Sequence, residues 1–589
     1  MGEFNWDLTK IFKNEEEYNE CINKLKSIIT KLEEFKDHIL DDENSLYDFL
    51  SLDTESEYLS EKLYVYTFLA YYSDMNNKDY INRKEEIISL LNDISSKTSF
   101  IRPELLSSSY DKILKYINKN KKLEKYRLSL ERLFRYKNHT LSEKEEKILS
   151  MTSDMLRLPG DTFSIINNVD VKFDKIRNED DKLVELNHAN YSTFLSSRNK
   201  KVRKNAFNKM YKYYKEHINT ISSLYIGNVK NNCFISKVRG YNSTLDMHLY
   251  PDEVSNTLYN HLIDVTNDNL KYLKDYYKYK SKKLGYKLHM YDLYVNTSAS
   301  IDKKINFEEA KKIANEALNP LGEEYLKAFN HLLSNRCVDV YPKKNKRSGA
   351  YQWGVYGIEP YVSLNYENNI DSVSTLVHEM GHAMHSYLSD KNQDYLYAGY
   401  PIFLAEIAST VNEVLLSNYL INKSDNNDEK EYYLVEFLDK FKATVFRQVM
   451  FSDFENTIHK YYEEGKPLTS DLLNDVYLKL NKKHFSPAVV IDDNIKYEWA
   501  RIPHFYTSFY VYKYATGFIS ALLIADKLLN EKDFKDKYIK FLSSGHIKSP
   551  LNLLKELGID LENNNTLKRA FDIFNEKLEL LKSLENGEK

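Results

Sequence analysis

Two histidines and a glutamate carry the most specific chemical pattern in this sequence. His378 and His382 bracket Glu379 in the run His378-Glu379-Met380-Gly381-His382, an H-E-x-x-H pattern. On a helix, residues four apart stand above one another on the same face. Both imidazoles can then reach one metal ion, and Glu379 is near enough to take a proton from a water bound there. Histidine is sparse, 15 in 589 residues, so the spacing is informative. A catalytic zinc site takes three protein ligands and leaves one position open. The third ligand must come from another element.

Two helices would position this set. Asp371 and Ser372 offer N-caps for the first. Val373, Leu376, Val377, Met380, Ala383, Met384 and Leu388 recur at helical spacing through the motif. A second helix is predicted to open at Pro401, a residue suited to a first turn. It carries Glu406, 24 positions beyond His382, and Glu413 seven further on the same face. Leu404, Ala405, Ile407 and Ala408 around Glu406 are apolar, and a carboxylate buried among them needs a partner such as a metal ion. Glu413 is placed either to orient a ligand histidine from behind or to face solvent as an ordinary helix glutamate.

Residues 378–386, HEMGHAMHS, followed by residues 399–413, GYPIFLAEIASTVNE, resemble the thimet-oligopeptidase family of zinc metallopeptidases, and most of all its oligoendopeptidase F branch. The resemblance implies one Zn2+ ion held by His378, His382 and Glu406, with Glu379 as general base. It also implies a predominantly α fold: a large helical two-lobed body with a deep substrate channel and a small β-sheet beside the zinc helix. Such a channel admits short, extended oligopeptides and excludes folded proteins.

Segments on either side of the motif fit that expectation. Residues 348–357 are rich in glycine and aromatics, and residues 360–366 alternate like a strand. A strand beside a metal site can bind an extended peptide by edge addition; a plain structural hairpin is the alternative. Further on, His504 stands among many phenols between Trp499 and Gly517. Peptide hydrolysis passes through an oxyanion, and imidazole N–H and tyrosine O–H groups are donors for it. In the family a matching segment supplies a histidine and tyrosines to the substrate, which by resemblance makes His504, Tyr510 and Tyr514 site residues. Tyr510 and Tyr514, four apart on one predicted helix face, are preferred to Tyr506 and Tyr512. Several of these tyrosines are expected in an aromatic core.

Composition narrows the class. A formal net charge of −4 gives no reason to expect a nucleic-acid partner. The lysine-rich stretches 119–125 and 278–283 read as solvated helix faces. Three cysteines, far apart and odd in number, argue against a disulfide framework and read as apolar fillers in a reducing compartment. Only 16 glycines and 11 prolines punctuate the chain, as in a helix-rich protein. Residues 1–8 are acidic with no apolar stretch after them, unlike a signal peptide. Apolar runs such as 518–529 are too short to span a bilayer. A soluble, cytoplasmic protein with no membrane association is expected.

In chain order, residues 1–195 read as an N-terminal helical domain forming a channel wall. Its helical pattern is predicted to break at Leu158-Pro159-Gly160-Asp161, with a hairpin over 163–166 and 169–173. Residues 196–589 read as the catalytic domain. His188, His217, His248, His261 and His289 are expected to be structural. The function expected is a zinc-dependent endopeptidase that hydrolyses internal bonds of short oligopeptides. One alternative is a dipeptidyl carboxypeptidase-type exopeptidase, which needs a cation for the substrate's C-terminal carboxylate; Arg501 is the candidate near the motifs. The other is a catalytically inactive helical peptide-binding protein. The oligomeric state is left open by the sequence.

Overall fold

The computed structural model of the chain describes residues 4–298, 301 and 303–585, so the first three residues of the acidic N-terminal stretch lie outside the described residues. The fold is predominantly helical with three small sheets. Two compact units interleave in sequence. One comprises Met1–Glu143, Asp302–Leu416 and Ile524–Leu557; the other comprises Lys144–Ile301, Ser417–Leu523 and Gly558–Lys589. The division at residue 195 follows chain order, whereas these units form because the chain leaves each core and returns to it. Among the described residues, no helix is long and apolar enough to cross a membrane.

In the first unit, the helix Glu43–Ser73 is opened by Asp42, whose carboxylate accepts from the N–H groups of Asn44 and Ser45 at 2.8 and 2.9 Å. Its apolar face joins a core that includes Leu25, Phe49, Leu63 and Ile117, all fully buried. That core continues onto a three-stranded sheet ordered Val338–Asp339, Tyr361–Ser363, Tyr351–Trp353. Val338 pairs in parallel with Val362, and Tyr351 pairs antiparallel with Ser363. The strand expected over 360–366 thus forms at its centre, and the glycine-rich stretch before it supplies the outer strand. Both strands pack on the helix Ile370–Asn392, which bears the two histidines.

The second unit is a helical assembly around aromatic side chains. Phe441, Phe446, Phe571 and Phe574 pack with ring centroids 5.0–5.5 Å apart. Here two local expectations fail. The helix Ser153–Ile165 runs straight through Pro159, and the hairpin lies later, with Lys175–Arg177 antiparallel to Leu183–Glu185. Tertiary packing overrides the proline. Gly227 on the helix Ile218–Val238 leaves room for the Pro159 ring, which would stand 3.4 Å from a β-carbon there. Phe163 stacks on Tyr506 at 4.2 Å. Those contacts hold the helix although one backbone donor is missing.

Four of the five lone histidines of this unit are hydrogen-bonded locally, and the fifth, His248, packs its ring 5.3 Å from that of Phe509. His188 bonds the Asn167 carbonyl, His217 that of Tyr213, His261 that of Glu562, and His289 the Asp492 carboxylate. All three cysteines are free thiols. Burial pushes Cys337 up to about 12, which makes it inert.

Candidate metal centre

The histidine helix starts two to three residues before the expected caps. Asn369 is the N-cap, accepting from Ser372 N–H at 2.9 Å, while the Ser372 hydroxyl accepts from Glu367 N–H at 2.9 Å. Val373, Leu376, Val377, Met380, Ala383 and Met384 are all fully buried. This anchored stripe leaves His378 and His382 on the opposite edge, their rings nearly perpendicular with centroids 4.9 Å apart.

The glutamate helix runs from Ile402 to Lys423, immediately after Pro401. Gly381 sets how closely the two helices approach. A β-carbon there would lie 2.6 Å from Ser409 Cα and 2.8 Å from the Ala408 carbonyl oxygen. Asn412, fully buried, donates to the Val377 carbonyl at 3.0 Å and fastens the same crossing. Behind the motif His385 stacks on Tyr400 at 3.7 Å, and the Tyr400 hydroxyl lies 3.0 Å from Ser386 Oγ. This fixes the connection between the helices.

These contacts bring three donor atoms together. His378 Nε2 and His382 Nε2 are 3.2 Å apart, and Glu406 Oε2 is 3.6 Å from the first and 3.7 Å from the second. A tetrahedral zinc with ligands at about 2.0–2.1 Å separates its donors by about 3.3 Å. The residues present therefore fit one zinc ion. Among the described residues this is the one cluster of histidine, cysteine or acidic side chains with such spacing. One expectation is corrected: Glu406 is not buried. Its neighbours Phe403, Leu404, Ile407 and Ala408 point into the core, but its own side chain is 50% exposed. Its placement follows from the Gly381 crossing rather than from apolar surroundings.

Further groups stand against the two imidazoles. Glu413 Oε1 lies 3.5 Å from His378 Nδ1, and the Ala405 backbone hydrogen-bonds the His382 ring. Burial opposes a proton on His378, but Glu413 outweighs it and, with Glu379 and Glu406, raises the ring's pKa. Burial, with His378 beside it, drops His382 to about 4, so it is a neutral ligand at physiological pH. Glu379 is 7% exposed, and burial, opposed by His378 and reinforced by Glu406 and Glu413, pushes its carboxyl up to about 7. Asn412, Gly381 and the Ala405 backbone shape the helix crossing at this cluster, which the motif alone did not reveal. The run of small residues Ala405, Ala408 and Ser409 facing Gly381 was the available signal.

In the second unit, His504 is exposed and Tyr514 OH lies 3.4 Å from its Nε2. Tyr510 packs edge-on against Tyr514 at 5.4 Å. The helix here begins only at Tyr512, so Tyr510 stands just before it rather than on its face. Tyr512 is fully buried, and Tyr506 is committed to Phe163. Arg501 is committed too. Glu498, 3% exposed, accepts from Arg447 at 2.8 Å, Arg501 at 3.2 Å, Tyr211 at 3.1 Å and Tyr477 at 2.6 Å.

A helix that presents two histidines and a buried glutamate, crossed by a second helix that presents a carboxylate, defines a metallopeptidase. The chain belongs to peptidase family M3, whose model matches residues 193–573, and the oligopeptidase F model matches residues 104–173. It is 38% identical to the oligopeptidase PepF of Bacillus subtilis, over 99% of this chain and 87% of that protein. It is 37% identical to an oligoendopeptidase F homolog of Lactococcus lactis, over 99% and 97%. A crystal structure of a Chlamydophila abortus protein described as a peptidase superposes with a TM-score of 0.94 at 35% identity, covering 99% of this chain and 98% of that one. Oligoendopeptidase-F from Enterococcus faecium gives 0.74 at 33% identity, covering 97% and 98%.

Proposed function

We propose that the chain is a zinc-dependent endopeptidase that cuts internal bonds of short oligopeptides, with Glu379 as general base. The observation that carries this reading is the triangle of His378, His382 and Glu406 donor atoms with buried Glu379 on the same helix. Zinc in such a site supplies Lewis-acid activation of water and of a carbonyl oxygen. Glu379, buried beside the donor cluster, takes a proton from the attacking water and returns it to the leaving amine. Glu413 and the Ala405 backbone hold the two imidazoles in their ligating orientation.

His504, Tyr510 and Tyr514 are assigned to the substrate carbonyl. Partial burial keeps His504 below the ordinary histidine range, so it donates as a neutral N–H. The outer strand Tyr351–Trp353, half-buried along its length, is assigned to main-chain pairing with an extended substrate. Arg501 favours endopeptidase over exopeptidase action. Its guanidinium is bound to Glu498 and stacked 5.4 Å from the Tyr191 ring, so it is not free to hold a C-terminal carboxylate.

An internally quenched oligopeptide blocked at both ends tests this. Cleavage abolished by a chelator and restored by added zinc is expected. Cleavage only of peptides with a free C-terminus would replace the reading with exopeptidase action. Zinc bound without turnover of any peptide would replace it with the inactive binding protein.

A further inference from the structure

A strained buried turn separates His504 from the two tyrosines assigned to substrate. Ser508 is 8% exposed and Phe509 2%, and Phe509 has φ +55°. A side chain larger than glycine's is uncommon in that left-handed region, and it persists only where the surroundings over-determine it. Three sets of contacts do so. From the helix Ile218–Val238, Asn228 and Asn232 both donate to Ser508 Oγ, at 3.3 and 2.7 Å, and Asn228 also donates to the Phe505 carbonyl at 3.2 Å. The Phe509 ring lies 4.7 Å from the His459 ring and 5.3 Å from that of His248. From the helix Arg447–Glu463, the buried Glu455 carboxyl stands beside the Phe509 backbone N–H and the Ser508 hydroxyl.

We propose that Glu455 is a positioning residue of the peptidase: it holds the Ser508–Phe509 turn and so sets Tyr510 and Tyr514 beside His504 for the substrate. The proposal rests on the reading of those three residues as substrate-facing. Glu455 is 1% exposed, and its Oε1 has no hydrogen-bond partner. Among the described residues no ion pair includes it. Burial pushes its carboxyl up to about 8, so at neutral pH it is an uncharged acid. The titratable groups around it do not supply a compensating charge. His459 on its own helix and His248 on the helix Thr244–Leu249 are pushed down by burial to about 3 and about 4, and each has an unpartnered Nε2. The phenols of Tyr225 and Tyr259 are pushed well up by burial. Lys513, next to Tyr514, is paired with Asp252 at 2.5 Å. Since the carboxyl's pKa is raised in the fold from the ordinary 4.5, its contribution to stability is complete below that value and is lost progressively as pH rises through about 8, where the folded protein's carboxyl ionises. An ionised Glu455 would be an uncompensated charge that opens the turn.

Glu455→Gln and Glu455→Ala, compared with Tyr514→Phe, test this by steady-state hydrolysis across neutral to alkaline pH, with zinc content measured on each protein. Glu455→Ala is expected to lower kcat/KM by about tenfold or more through misplaced donors, with zinc content unchanged. Glu455→Gln, an uncharged mimic, is expected to restore activity and to lack the fall above pH 8 that is expected of the unmodified enzyme. Equal effects of Gln and Ala, or an alkaline fall unchanged by Gln, would overturn the proposal. If Glu455→Ala does not fold, the alkaline limb of Glu455→Gln decides alone. Failure of the underlying reading looks different: the unmodified chain hydrolyses no peptide, or Tyr514→Phe is as active as the unmodified enzyme.

Discussion

Gly381 and Ser409 meet backbone to backbone: a β-carbon on residue 381 would stand 2.6 Å from Ser409 Cα. That contact, more than any property of Glu406, brings the carboxylate three residues earlier in the chain within 3.6 and 3.7 Å of two imidazole nitrogens. The glycine inside the metal motif is therefore part of the ligand geometry.

Gly381→Ala should force the two helices apart. Overpacking of this kind costs about 1–3 kcal/mol, and the third ligand should move with its helix. A lower melting temperature together with weaker zinc retention against a competing chelator is expected. Unchanged zinc affinity would show that Glu406 finds the site without the close crossing.

Glu379→Gln should leave zinc bound and the melting temperature close to that of the parent, because the amide has the same shape as the neutral acid. Turnover should fall by about 10²–10⁴, the usual contribution of a general base. Zinc content by atomic absorption and kcat on a quenched peptide check both halves. Retained turnover would remove Glu379 from the chemistry.

Glu413→Ala should weaken zinc binding without abolishing it. Partners that orient a ligating histidine are worth about 10–100-fold in metal affinity, and Glu413 stands 3.5 Å from His378 Nδ1. A zinc titration against a calibrated chelator reads the effect. An affinity equal to the parent's would assign Glu413 to the solvated face instead.

Acid stability should depend on Glu498. Burial opposes its charge, but Arg447, then Arg501, with hydrogen bonds from Arg447 and Tyr477, outweigh burial and hold it at about 2, below the ordinary 4.5. A depressed carboxyl stabilises the fold above its unfolded pKa, and that stability is lost as pH falls from about 4.5 towards 2. A shift of that size is worth on the order of 3 kcal/mol. Denaturant midpoints measured from pH 6 downward should fall in that window for the parent. Glu498→Gln should be weaker at pH 6 and flatter below it.

The cluster of His378, His382 and Glu406 was readable in the sequence because it is local. The three residues lie within 29 positions, from 378 to 406, on two helices whose apolar stripes are regular. The buried set Val373 to Met384 followed from periodicity alone. What sequence missed depends on packing partners far along the chain. Pro159 announced a break, but the cleft opposite Gly227 and the stack on Tyr506 keep the helix intact. Glu406 looked buried because its neighbours are apolar, although the helix turns it outward. The start of the helix after His504 slipped by two residues because a positive-φ phenylalanine has no sequence signature. Arg501 stood as the candidate cation for an exopeptidase because Glu498, three residues away, gave no hint that it gathers two arginines and two tyrosines.

The interleaving of the two compact units has a consequence for biosynthesis. The first needs residues 524–557 and the second needs residues 558–585 as well as far earlier segments. Neither core can close until those segments have been made, so apolar helix faces from far earlier in the chain stay unpaired through much of synthesis. His378, His382 and Glu406 all precede those segments, so the candidate metal centre is made before either core can close, and sequential domain folding cannot shield the exposed faces.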